Sequence, residues 1–348
     1  MTTADEPPKP EAAPKRSLVR VLVRWLIAAA ALSFVLWMVP FRDRCDAEGV
    51  CTPGLLSTIA AAKLVLVLVG FGTYMLGTLA WSARWRALLG VAGVEVSVLK
   101  TWRVTLEAQA GGILLPGGLG GDALRVAYVR ERAPEADIAK VLASILTDRV
   151  VGLVTLAGIA AFSAVIYGTT DLGAILWGLA AIPVGAAIFY ALLRIPSLAK
   201  SRWFAEGGTG VVGKVRGLVA RFVRPMLEYA ADARGPAALA RGLGFSLVVS
   251  ATQLLVVRIL VAALGATPST EAGVYVAATI GMMVAALPAA PGAWGTADAA
   301  YVFFLGRAGI PAHVAAAVCL LYRVFWYASG LIGALSAVRG RASSGERA

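Results

Sequence analysis

Two apolar runs of this chain are cut by proline and glycine where a membrane-crossing helix would have to continue. The first reads Leu114-Leu115-Pro116-Gly117-Gly118-Leu119-Gly120-Gly121-Asp122-Ala123-Leu124-Arg125, with an Asp and an Arg directly behind the break. The second reads Leu287-Pro288-Ala289-Ala290-Pro291-Gly292-Ala293-Trp294-Gly295-Thr296-Ala297-Asp298. In water such stretches are ordinary turns. At membrane depth, broken backbone is tolerated only where protein or a water-filled cavity satisfies the freed N–H and C=O groups.

The surroundings are apolar enough to make membrane depth the relevant case. Of 348 residues, 59% are hydrophobic and 15% charged, and the mean hydropathy is +0.78. Several windows hold about 20 apolar residues, enough to cross a hydrocarbon core of about 30 Å. These runs are continuous and do not alternate every second residue, which argues against a β-barrel. The net charge of +12 sits beside the apolar spans, while the aromatics lie within them. Positive-inside topology and anionic lipid explain that pattern, and no nucleic-acid partner is expected.

In chain order, residues 1–17 read as a disordered cytoplasmic tail, 18–338 as one transmembrane domain, and 339–348 as a second cytoplasmic tail. Leu18 to Val39 is the first expected span and Ser57 to Trp81 the second, with Trp81, Arg84, Trp85 and Arg86 as a band at the inner interface. Val104 to Leu115 is too short to cross and dips in from the cytoplasm. Val141 to Ile166 and Leu172 to Leu193 span. Residues 194–241 form a basic, amphipathic cytoplasmic section suited to an anionic leaflet. Gly242 to Leu264 spans; Ala272 to Leu287 re-enters and Ala297 to Leu305 returns; Ala312 to Leu335 spans last. The fold class is thus all-α and polytopic: about six transmembrane helices plus two broken re-entrant hairpins, with both termini cytoplasmic. Cys45 and Cys51 share the first outer loop, where a disulfide survives, two free thiols being the alternative.

The two broken stretches also match in their downstream residues. Behind the first comes Thr147-Asp148-Arg149-Val150-Val151-Gly152-Leu153, and behind the second Leu321-Tyr322-Arg323-Val324-Phe325. Entered from opposite sides, they form an inverted repeat, a pointer to a transport site near the midplane. A helix restarting after Gly120 or Gly295 aims unpaired N–H groups and a positive dipole end at that site, which suits an anion such as phosphate, and Gly118, Gly121 and Gly292 beside them join the candidate substrate-binding residues. Arg149 and Arg323 add permanently charged, bidentate partners. An Arg at the bilayer centre costs about 2.5–3.5 kcal/mol on the insertion scale, so matched arginines require a reason. Asp122, Arg125, Asp148, Arg258 and Asp298 complete the candidate substrate-binding set. Structural roles stay open for each: Asp122 capping its helix or pairing with Arg125, Asp148 neutralising Arg149 or Arg258, Arg323 tying up freed carbonyls, Asp298 bracing its hairpin. Glu107 and Gln109 line a cavity or satisfy loose backbone.

Leu115 to Asp122 with Arg125, Asp148 to Leu153, and Pro291 to Gly295 with Asp298 and Arg323 resemble the motifs of the flippase-like transmembrane region of lysylphosphatidylglycerol synthases and its stand-alone relatives. Asp298 stands where relatives usually have Glu. The resemblance covers roughly Leu18 to Val338 and implies a lipid translocator that moves a phospholipid or related anionic amphiphile between leaflets. The aminoacyl-transfer domain of the full synthases has no counterpart here, so synthase activity is not expected. The expected partners are anionic lipid and the bilayer, with a homo-oligomer or a separate lipid-modifying enzyme left open. No cofactor or metal is expected, and no P-loop pattern for direct ATP drive is present. A small-solute or ion-coupled secondary transporter is the second reading. An intramembrane enzyme built on Asp122, Asp148 and Asp298 is the third, although the stretch before Asp122 is Leu-Gly-Gly-Asp and misses the Gly-x-Gly-Asp signature by one residue.

Overall fold

The computed structural model describes residues 39–45, 51–114, 119–167, 173–195, 226–286 and 293–345, with isolated positions between 26 and 37 and at 224. Most of the first expected span, most of the 194–241 section, and residues 115–118 and 287–292 at the two breaks lie outside the described residues.

Two short strands, β1 (Arg44–Cys45) and β2 (Cys51–Thr52), pair antiparallel and are closed by a Cys45–Cys51 disulfide. Beside them Asp43 Oδ1 accepts from the Ser57 hydroxyl at 2.5 Å and the Gly54 N–H at 2.7 Å. Those bonds, the hydroxyl's first, hold its carboxyl below the usual carboxylate range. They fix the start of α1 (Leu55–Ala60).

The remaining described elements are α2 (Leu64–Leu89), α3 (Val98–Leu114), α4 (Leu119–Arg132), α5 (Ile138–Tyr167), α6 (Gly173–Leu193), α7 (Gly235–Ala263), α8 (Glu271–Ala286), α9 (Thr296–Arg307) and α10 (Ala312–Gly345). Among the described residues, four stretches are long and apolar enough to cross a membrane: Leu64–Ala92, Ile138–Ser163, Gly235–Ala263 and Ala312–Val338. The chain is a multi-pass membrane protein. The expected span from Ser57 to Trp81 is corrected. The helix breaks before Lys63, whose extended backbone (φ −69°, ψ 97°) lets its N–H donate to the Ala263 carbonyl at 2.9 Å, and the crossing helix runs on to Leu89.

That bond also shows how the bundle is built. The start of α2 meets the end of α7, and further along Arg84 reaches Ser246, so the two helices run antiparallel along their length. Each is the crossing helix that precedes a broken hairpin: α3–α4 follows α2, and α8–α9 follows α7. Each hairpin is then followed by a long helix, α5 or α10. The units correspond element for element, and their matching helices α2 and α7 point in opposite directions. The repeat is inverted. The hairpins also cross over, since α3 packs on α10 of the other unit and α8 packs on α5.

Lipid tails are as apolar as leucine, so packing and interhelical hydrogen bonds, not burial from water, hold such helices together. At the α3–α10 seam the Ser329 hydroxyl donates to Gln109 Oε1, and Arg103 Nη2 donates to the Ser336 carbonyl at 2.6 Å. Between these bonds Gly333 lies directly against the Leu106 backbone. No side chain fits there. Overpacking costs about 1–3 kcal/mol, and main chain cannot swing aside, so Gly333→Leu is expected to lower the unfolding midpoint in detergent. Gly72→Ala, with open space around its Cβ, is expected to leave it unchanged.

Candidate functional site

Helical geometry makes the first cluster. Asp122 stands in the first turn of α4, and Arg125 follows three residues on, on the same face. On α5, Asp148 and Arg149 are successive residues, so they project about 100° apart and serve two different neighbours. Arg149 turns to α4, where its Nη2 and Nε both donate to Asp122 Oδ2, at 2.6 and 3.0 Å. Asp148 turns to α2. Its Oδ1 accepts from Arg84 Nε at 2.7 Å, and its Oδ2 accepts from Trp81 Nε1 at 2.9 Å and lies 3.5 Å from Arg125 Nη1. Arg84 reaches on with Nη1 to the Ser246 hydroxyl of α7 at 3.0 Å.

Arg125 occupies a slot between two indoles, its guanidinium 4.8 Å from the Trp85 ring centre and 5.1 Å from that of Trp81. Stacking of this kind stabilises a desolvated cation by about 2 kcal/mol. Even so, its Nε has no hydrogen-bond partner among the described residues, although Arg125 is only 3% exposed. Exposure grades through the cluster: Asp148 is 1% exposed, whereas the side chains of Arg149 and Asp122 are 36% and 20% exposed.

The second unit makes a related but tighter arrangement. Asp298, in the first turn of α9, accepts from the Gly295 N–H at 2.9 Å. Arg323 grips both its oxygens, Nε to Oδ1 at 3.0 Å and Nη2 to Oδ2 at 2.7 Å. The same Nη2 donates to the Ala293 carbonyl at 3.1 Å, and the guanidinium stacks 4.2 Å from the Trp294 ring centre. The chain turns here through left-handed backbone at Ala293 (φ 53°) and Gly295 (φ 76°), a geometry glycine adopts without strain and alanine rarely does. Arg323 therefore takes up a carbonyl that the break sets free, and Asp298 both caps α9 and holds Arg323.

Several sequence expectations are corrected in their partners. Asp122 pairs with Arg149, not with Arg125. Asp148 pairs with Arg84 and Arg125, not with Arg149 or Arg258. Arg258 stands apart, its Nε 2.6 Å from Oε2 of Glu271, whose side chain is 47% exposed. Glu107 pairs with Arg103 on its own helix. Gly121 serves the packing of α4 on α3, since a Cβ there would meet the Ala108 carbonyl at 2.5 Å, and the Gly120 carbonyl lies 3.0 Å from where a Cβ on Gly111 would stand. Gly118 and Gly292 lie outside the described residues. Arg84 was expected at an interface. It is buried because α2 runs past it to Leu89, and Gly152 supplies its space, since a Cβ there would lie 3.1 Å from Arg84 Nη1. The Gly four residues after Asp148 was the available signal for a bulky group arriving at α5.

The residues of both clusters fall within 21–333, the stretch matched by the profile of the family described as lysylphosphatidylglycerol synthase TM region. The chain belongs to that family. It is also similar to UPF0104 membrane protein PH1989 of Pyrococcus horikoshii, with 28% identity over 98 residues. That alignment takes in 27% of this chain and spans only 28% of the relative's length.

Removing one partner of a buried ion pair costs about 3–5 kcal/mol, because the other charge stays behind unpaired. Asp148→Asn strands two arginines and is expected to lower the unfolding midpoint further than Asp122→Asn, whose partner is part-exposed. Adding Arg84→Met to Asp148→Asn is expected to recover part of that loss. Thermal unfolding of the purified variants in one detergent measures all three.

Proposed function

We propose that this member of the lysylphosphatidylglycerol synthase TM region family is a lipid translocator, moving a phospholipid or related anionic amphiphile between leaflets of the cell membrane. The observation that carries the reading is the half-open Asp122–Arg149 pair at the edge of a buried arginine cluster, set where a broken hairpin meets a crossing helix. Membrane proteins rarely hold ionisable groups at depth unless these line a substrate path. The headgroup phosphate passes between the two inverted units while the acyl chains remain in lipid. Arg149 in the first unit and Arg323 in the second are its successive phosphate partners.

The difference between the two units supports this reading. In one, the Arg–Asp pair is part-exposed and holds a single carboxylate oxygen; in the other it is buried, forked and stacked on Trp294. An inverted repeat that is open in one half and closed in the other is what alternating access requires. Both termini are placed in the cytoplasm, because basic residues crowd the segments assigned to that side.

The test is movement of headgroup-labelled phosphatidylglycerol across proteoliposome membranes. A hydrogen bond to a charged group contributes about 1.5–3 kcal/mol, so Arg149→Ala and Arg323→Ala, each checked for folding, are expected to slow movement by about tenfold or more. Arg224→Gln, which removes only an exposed pair with Glu228, is expected to match wild type. Folded Arg149→Ala protein that moves lipid at the wild-type rate ends the proposal.

A further inference from the structure

The first cluster does not balance its own charge. Arg84, Arg125 and Arg149 face Asp122 and Asp148, leaving one cation in surplus among the described residues. At the inner end of the array Arg125 is buried, and its Nε has no hydrogen-bond partner among the described residues. Asp122 and Arg149 both lie within electrostatic reach of Arg125, so the five groups act as one array. By contrast, Arg323 and Asp298 form a matched pair with its carboxylate fully engaged. Burying an uncompensated guanidinium is costly. A site that does so is completed by an anion of single charge.

The geometry also marks where that anion enters. Arg149 holds Asp122 through one oxygen only, Oδ2, and no bond to Oδ1 is made among the described residues. Arg149 is the most exposed of the three arginines. A two-oxygen fork, as at Arg323, is the stronger mode for a guanidinium, and a phosphodiester presents two such oxygens.

We propose that Asp122 is an internal stand-in for substrate. A phosphodiester monoanion displaces it from Arg149, takes the forked position, and brings the array to neutrality once the displaced carboxylate is counted. This rests on the anionic-substrate reading above, and adds the charge of the ligand and the residue that competes with it. Removing the competitor therefore tightens binding, the reverse of what loss of a direct ligand does. Asp122 is a positioning residue here, acting through Arg149.

The full-length protein in detergent is titrated with dihexanoyl-phosphatidylglycerol while its unfolding midpoint is followed. Glycerophosphoglycerol (the same diester without acyl chains) and dihexanoylglycerol (the chains without phosphate) are run in parallel. The phosphodiester lipid is expected to raise the midpoint and dihexanoylglycerol to leave it in place. Asp122→Asn is expected to lower the half-saturating lipid concentration about fivefold, the ratio set by a part-exposed ion pair of about 1 kcal/mol. Arg149→Gln is expected to abolish the shift; should it not fold, the Asp122→Asn comparison decides alone. Equal stabilisation by dihexanoylglycerol, or a half-saturating concentration in Asp122→Asn equal to or above that of wild type, overturns the proposal. Glycerophosphoglycerol acting as strongly as the lipid supports the exchange and removes lipid movement as the function, so the two failures are told apart.

Discussion

The bundle is organised around one carboxylate. Asp148 is almost wholly buried on α5, and among the described residues the groups bonded to or paired with it come from other helices: Trp81 and Arg84 from α2, Arg125 from α4. Arg84 carries the network on to Ser246 of α7. With no hydrophobic drive between helices in lipid, a four-helix polar junction of this kind sets how far each helix may slide or turn. The indole stack around Arg125 and the gap left by Gly152 result from it, because guanidiniums must be brought in edge-on to share one carboxylate. The exposed Arg149 owes its direction to the same residue: its neighbour's orientation leaves it facing α4.

Around this junction the two units are alike in plan and unlike in detail. Both end a broken hairpin with a first-turn Asp and bind that Asp with an Arg of the following long helix. In the second unit Trp294, Ala293 and Gly295 add contacts that the first unit lacks among its described residues. The same device thus exists once as a closed brace and once as an open pair.

Much of this was legible in the chain. Continuous apolar runs with Pro/Gly breaks give a helical membrane protein with two hairpins, since backbone at membrane depth has few other solutions. Matching Asp and Arg residues behind the breaks gave the repeat. Partner choice was not legible. Arg84 read as an interface residue because a sequence shows Trp81, Arg84 and Trp85 together but not that α2 continues past them. Likewise Asp148 and Arg149 are adjacent in sequence and read as partners, whereas a helix points them at different neighbours. Gly121 was read as a helix-restart glycine aimed at the site and is a point of contact with α3, which only the facing helix reveals.

The exchange of hairpins between units has a mechanical consequence. Because α3 lies on α10 and α8 lies on α5, neither hairpin can shift without loading the long helix that carries the other unit's arginine. The α2–α7 seam, antiparallel and closely packed, is the most extensive contact between the units among the described residues. The molecule is in effect a beam pivoted on that seam, with a crossed linkage at each end. The two Asp–Arg pairs are thus joined through main chain and packing and not through a continuous row of charges.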